Sequence, residues 1–313
     1  MSLAFGRRMA LAALAAAVPL RARAGQAVRI GYQKNGALVI LRRQGTLEKV
    51  FGAQGVAVSY VEFTSGPPLL EALGAGAVDF GATGDTPPIF AQAAGTDLLY
   101  VGAQPVRGDN QAIIVRAGGP VTSLADLKGR RVAFTRGSSA HNVVVKALAR
   151  AGLTPADIQP VPLQPADAAA AFRSGAIDAW AIWDPFLALA QQDPATKVLV
   201  QATEVAPSNS FFLASRRWAE TAPHQVQDLL DAINGAAAWA AAHPNDLADL
   251  MAQVTGVPIA AQRVAAPRGV YAVQKLDATV IAQQQDIADT FARLHIIPTK
   301  IDITTRIWQP ARA

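Results

Sequence analysis

From Ala27 onward, short strand-like runs alternate with short helix-like runs, and after a break the series begins again near Ala112. Residues 27–32 read as a strand, 36–43 as a helix and 56–63 as a strand rich in β-branched and aromatic residues. Helices follow at 67–73 and 87–94, with strands at 78–82 and 97–103. Parallel strands need a crossover, and a helix supplies one, so this spacing predicts an open, largely parallel sheet. The second series has strands at 112–116, 131–135, 158–161 and 179–183, separated by helices at 124–127, 141–151 and 166–173. Further strands are expected at 198–201 and 211–214. From Pro223 the pattern changes to long helices, notably 226–242 and 278–294.

A chain of 313 residues can build two such cores. The expected fold class is α/β and bilobal, with residues 25–111 as the first part of lobe I, 112–213 as lobe II and 214–313 returning to lobe I. Crossings near Gln111 and Ala214 would form a hinge, and the cleft between lobes is the natural place for a ligand. Hydrophobic residues make up 51% and charged residues 16% of the chain, which excludes an extended disordered protein.

The first residues read differently. Arg7 and Arg8 precede a 12-residue apolar run, residues 9–20, and Ala22-Arg23-Ala24 supplies small residues at a cleavage point. This is the layout of a secretory signal, expected over residues 1–24, and the run is too short to span a bilayer. Its removal takes away Arg7, Arg8, Arg21 and Arg23, so the formal net charge falls from +5 to +1. Nucleic-acid binding thereby loses its main support. With no cysteine there is no disulfide, thiolate metal site or lipid-bearing residue, and the mature chain is expected to be free and soluble in an exported compartment. His141, His224, His243 and His295 form no metal-ligand spacing, and no phosphate-binding or dinucleotide glycine motif is present, so no cofactor is expected.

Four segments at strand ends carry the candidate ligand contacts. Gln33 and Asn35 offer amide donors beside Gly31 and Gly36. Ser65 resembles a helix N-cap, with Gly66 and two prolines after it. Thr83 and Gly84 precede Asp85, which is expected to cap or orient rather than to touch an anion. Ser138 and Ser139, with His141, lie between a strand and a helix, where free N–H groups favour anions, although ordinary N-capping by either serine would read the same. Trp183 suits an apolar wall or core packing. Gln111 and Asn209 stand beside the expected crossings.

These segments resemble one family. The stretches 30–34, 61–63 with Gly66-Pro67, 83–85 with 87–95, 132–134, 137–142, 178–185 and 306–310 are similar to the aliphatic-sulfonate-binding proteins of ABC importers. The resemblance implies a type II periplasmic-binding-protein fold that closes on a sulfonate, a sulfur source, and presents it to a membrane permease driven by a cytoplasmic ATPase. It implies a periplasmic monomer and no enzyme. Gln33 is implied as a headgroup contact, 83–85 as part of the cleft, and Ser138, Ser139 and His141 as the opposing lobe, with Trp183 nearby. The chain departs from the pattern at 35–38 and 105–111, which bears on the space for the organic tail.

Related importers bind taurine or nitrate. Taurine would need a carboxylate such as Glu62, Asp85, Asp184 or Glu204 for its ammonium, and nitrate a smaller pocket. Serine hydrolysis by Ser138, His141 and Asp85 is the reading from another class. It lacks a nucleophile-elbow motif, and the close spacing of Ser138 and His141 argues against it.

Overall fold

In the computed structural model, residues 27–105, 109–206 and 209–309 are described. The expected signal at 1–24 lies outside them. The strands are β1 (Ala27–Tyr32), β2 (Ala57–Glu62), β3 (Phe80–Thr83), β4 (Leu98–Pro105), β5 (Gln111–Arg116), β6 (Arg131–Phe134), β7 (Gln159–Pro162), β8 (Ala179–Trp183), β9 (Thr196–Gln201) and β10 (Asn209–Ser215). Among the described residues they form two five-stranded sheets, ordered β2-β1-β3-β10-β4 and β7-β6-β8-β5-β9.

The two orders follow one plan. In each sheet the second strand in the order (β1 or β6) pairs in parallel with both neighbours, and one strand arrives from the other lobe. That arriving strand is antiparallel: β10 runs against β3 and β4, and β5 against β8 and β9. The sheets are therefore mixed, which corrects the expectation of a largely parallel sheet. A strand entering from the cleft starts where the helix-linked strands end, so it must run the other way.

The second crossing is also displaced from its expected place. Asn209–Ser215 belongs entirely to the first sheet, so the return to lobe I precedes Asn209 and does not fall at Ala214. The error arose because a strand buried on both faces shows no amphipathic period to say which sheet owns it. Phe212 and Ala214 face one core while Phe211 and Leu213 face another. The same holds in the second sheet, where Ile113 and Val115 face one cluster and Ala112 and Ile114 the other.

Helices complete the layers. Pro223–Ala242 and Pro244–Thr255 bury Val226, Leu229, Ile233, Leu247 and Met251 against one face of the first sheet. Ala278–Arg293 buries Val280, Ile287 and Phe291 against the other. Short helices at Thr46–Gly52 and Phe186–Ala190 are additional to the expected elements.

One device is built twice. Arg29, the third residue of β1, grips Asp79 with its backbone N–H, Nε and Nη2 at 3.0, 2.8 and 2.7 Å. Arg131 grips Asp178 in the same manner at 2.9, 3.1 and 2.9 Å. Both aspartates follow a Gly-Ala-aliphatic step, Gly76-Ala77-Val78 and Gly175-Ala176-Ile177. Hydrogen bonds from Arg131 hold the Asp178 carboxyl below the usual carboxylate range. Asp79→Ala strands a buried backbone donor and a guanidinium, at a cost of about 2–3 kcal/mol in urea unfolding. Asp178→Ala is expected to cost less, because the Arg131 side chain is 43% exposed against 32% for Arg29.

Candidate functional site

The strands of both sheets point their cleft-side ends at a cavity of about 110 Å3 between the lobes. Ligands in open α/β sheets sit at such strand ends, because the chain turns there into helices whose first N–H groups have no partner. Four helix starts open on this cavity: Ala37–Gln44, Gly66–Gly74 and Thr86–Ala93 from lobe I, and Ser139–Arg150 from lobe II. None has a side-chain cap and none has an acidic residue in its first turn. Their N–H groups and positive dipole ends therefore stay available to an anion. Pro67, Pro68, Pro87 and Pro88 remove donors from two of them, which leaves the starts at Ala37 and Ser139 as the richer pair.

Gln33 lines the cavity and spends one N–H on the carbonyl of Ala82 at 3.0 Å, keeping a second. Asn35 lines it too, and its amide donates to the Asp184 carbonyl of the other lobe at 3.3 Å. Gly66, Thr83 and Gly84 form the floor from lobe I, and Thr83 Oγ1 donates to the Gly84 carbonyl. Gln111 donates to Ser139 Oγ at 3.2 Å, which turns the Ser139 hydroxyl hydrogen outward. Ser138 lines the cavity, but its Oγ donates to the Thr135 carbonyl at 2.7 Å. Neither serine caps the helix, so the capping alternative fails and the helix start remains open. Asn209 is a framework residue of the wall, bonded to Gln283 and Gln274. Trp183 supplies the apolar surface.

Two expected contacts lie elsewhere. Ser65 is fully buried and donates to Gln164 Oε1 across the lobes at 3.0 Å, so it neither lines the cavity nor caps its helix. His141 turns into a hydrophobic stack, with its ring 4.7 Å from Phe134 and 5.3 Å from Phe291. Burial, reinforced by Arg136, pushes its pKa down to about 4, and its Nδ1 accepts from the Gly137 N–H. Two residues past the helix start at Ser139, the side chain has already rotated off the cavity face. With Ser138 bound to a carbonyl and His141 stacked away, the Ser–His–Asp arrangement of a hydrolase is not assembled.

Asp85 does what its charge requires: it lines the cavity but accepts from Asn142 Nδ2 at 2.7 Å and Thr86 Oγ1 at 2.8 Å. Ala37, Leu38, Gln104 and Phe212 also line the cavity and were not singled out as contacts. Ala37 and Leu38 follow Gly36, whose φ of 81° starts a helix directly after the first strand, and that glycine was the available signal. Gln104 and Phe212 reach the site through antiparallel pairing that no local pattern encodes. Among the described residues the lining contains no lysine, arginine or histidine.

The lobes are closed on one another. Asn142–Asp85, Lys146–Asp286 at 2.7 Å and Arg268–Asp184 at 3.4 Å all span the cleft. Ala188 packs among Val257, Ala261 and Ala265 of the opposite lobe.

Two lobes, two crossings and a polar cavity at the strand ends define a type II periplasmic-binding-protein fold, the architecture of a solute-binding protein. The chain belongs to the family described as NMT1/THI5 like, whose pattern matches residues 50–247. It is 42% identical to an aliphatic sulfonates-binding protein of Escherichia coli, over 92% of this chain and 90% of that one. The crystal structure of the periplasmic aliphatic sulphonate binding protein SsuA from Escherichia coli superposes with a TM-score of 0.84 at 41% identity, covering 92% of this chain and 94% of that one. The alkanesulfonate-binding protein SsuA from Xanthomonas axonopodis pv. citri, bound to MOPS, gives 0.86 at 39%, covering 90% and 98%.

Closure leaves no room at one point. A Cβ on Gly84 would stand 2.8 Å from Ser139 Cβ of the opposing lobe, and the Ser139 side chain is held by Gln111. Gly84→Ala is expected to hold the lobes apart and weaken ligand binding about tenfold, a typical overpacking cost. Small-angle scattering of the liganded variant should show a larger radius of gyration than the liganded wild type.

Proposed function

We propose that this chain is the soluble substrate-binding component of an ABC importer, exported to the periplasm, where it captures aliphatic sulfonates as a sulfur source. The observation that carries the reading is a cavity ringed by uncapped helix starts and neutral donors, with no cation among its described lining residues. A sulfonate is a strong-acid anion: it stays ionised, offers three acceptor oxygens and has no proton to give. Donors from several directions satisfy it, and convergent helix starts replace a lysine or arginine clamp. The likeness over nearly the whole mature chain to sulfonate-binding relatives supports the same ligand. It also supports delivery to a permease and its ATPase. Lobe I, from 27–105 and 209–309, would close on lobe II through the two crossings.

Asp184 bears on the choice between sulfonates. It is the carboxylate that taurine's ammonium would seek, but it already faces Arg268 and accepts from the Ala188 N–H at 2.9 Å. Calorimetry on ligand-stripped mature protein should therefore rank ethanesulfonate ahead of taurine, nitrate and sulfate. Folded protein that takes up no sulfonate would refute the assignment.

The same carboxyl sets a pH dependence. Burial raises the Asp184 pKa from its ordinary 3.8 to about 6 in the closed chain, against the opposing pull of Arg268 and with a small push from Asp109. A raised acid favours its protonated form, so closure gains stability as pH falls through 6, and the gain is complete below 3.8. Ethanesulfonate affinity is expected to rise roughly fourfold between pH 7.5 and pH 5.5. Asp184→Asn should flatten that profile.

A further inference from the structure

A pocket of about 350 Å3 lies along the seam between the lobes and shares no lining residue with the polar cavity. Its volume falls within the roughly 300–1,000 Å3 of small-molecule sites. Lobe II supplies most of the wall: Phe134 at the end of β6, Val144 and Val145 from the helix Ser139–Arg150, and Pro155 and Ile158 beyond it. Pro160 and Pro162 stand two apart on β7, so they share one face, and both line the pocket. An edge strand such as β7 is where prolines can be accommodated. Lobe I closes the space with His295 and Ile296.

We infer that this pocket is a second ligand site, that it takes a small aromatic carboxylate, and that its occupation favours the closed lobes. The inference goes beyond the sulfonate reading and concerns a different place in the molecule.

The lining sets the class of ligand. Rings make up much of it: Phe134, His141, His295 and three prolines. The Phe134 and His141 rings lie nearly parallel, 17° apart in plane, and flat surfaces of this kind are well matched by another flat ring. Fixed charge is confined to one place. Arg136 is exposed at the pocket and enters no ion pair among the described residues. His141 is held neutral by burial, its pKa pushed down to about 4. A carbon-lined space with one guanidinium at its edge suits a monoanion whose ring goes in and whose carboxylate stays out, where the fork of N–H groups can hold both oxygens. The polar cavity is the reverse, with neutral donors and no cation among its described lining residues.

The wall from lobe I has a conformation of its own. His295 follows the helix Ala278–Arg293 at a φ of 55°, the one positive φ outside glycine among the described residues. Its N–H and that of Ile296 return to the Ala292 and Phe291 carbonyls at 3.1 and 2.9 Å, which ends the helix. Glycine would end it as well, at no steric cost, but would leave the pocket without this ring. Because the walls belong to both lobes, a ligand between them touches both only when the lobes meet as they do here. By linkage it must then tighten the cleft ligand by the same factor that the cleft ligand tightens it.

Calorimetry of benzoate on the ligand-stripped mature protein, on Arg136→Gln and on Pro160→Trp tests the site. Pro160 is exposed on an edge strand, so the larger ring enters the pocket without disturbing a core. Benzoate should bind the wild type one to one, weaken about threefold to fivefold in Arg136→Gln, and weaken about tenfold or more in Pro160→Trp. Benzyl alcohol, which has the ring without the charge, should bind the wild type about threefold to fivefold more weakly than benzoate. Circular dichroism reports that the variants are folded, and their ethanesulfonate affinity should stay within about twofold of the wild type. Saturating ethanesulfonate should tighten benzoate about fivefold, and benzoate should tighten ethanesulfonate by the same factor. Benzoate that does not bind, that ethanesulfonate displaces, or that binds both variants as tightly as the wild type overturns the second site. Equal binding of benzyl alcohol overturns the carboxylate class, and independent binding of the two ligands overturns the link to closure. If ethanesulfonate alone does not bind, the sulfonate reading falls, while the benzoate measurements on the stripped protein still decide the pocket.

Discussion

Each sheet holds one strand that comes from the opposite lobe, and that strand is locked by ladder hydrogen bonds on both sides and by packing on both faces. β10 lies between β3 and β4, and β5 between β8 and β9. A crossing strand fixed in this way cannot shift register without turning Phe212 and Ala214, or Ile113 and Val115, out of their cores. The residues at the mouths of these strands, Gln111, Asn209 and Ser210, are held where the two lobes meet.

That arrangement favours an anion although the described lining of the cavity holds no lysine, arginine or histidine. The cavity gathers partial charges from four helix starts instead of placing a formal positive charge opposite the ligand. Such a site keeps its donors fixed by the backbone, so little ordering remains when the ligand arrives. The carboxylates that line the cavity are engaged before they can face the anion: Asp85 by hydrogen bonds from Asn142 and Thr86, and Asp184 by Arg268. These same groups bridge the lobes, so the contacts that quiet the carboxylates also favour closure.

Much of this was legible along the chain. The strand–helix alternation located nearly every strand, since runs such as Ile113-Ile114-Val115 and Phe211-Phe212-Leu213 have no other use in a chain of this composition. The glycine- and serine-rich turns after those strands marked Gln33, Thr83, Gly84 and Ser139, because helix starts follow strand ends by chain connectivity alone. His141 and Ser65 were misread for one reason. Both lie within a residue or two of true lining positions, and helical geometry turns neighbouring side chains through about a third of a circle or less per step. Only the packing of Phe134 and Phe291 decides that the imidazole belongs to a core.

Sequence by itself determined the α/β class and the strand ends that carry donors, because these follow from local periodicity. Tertiary structure decided the rest: that β10 belongs to the first sheet, that Gln104 and Phe212 reach the cavity, and that Asp184 meets Arg268 across the cleft. Those facts depend on residues far apart in the chain coming together. Antiparallel pairing and lobe closure place them, and a strand buried on both faces carries no local record of its partner.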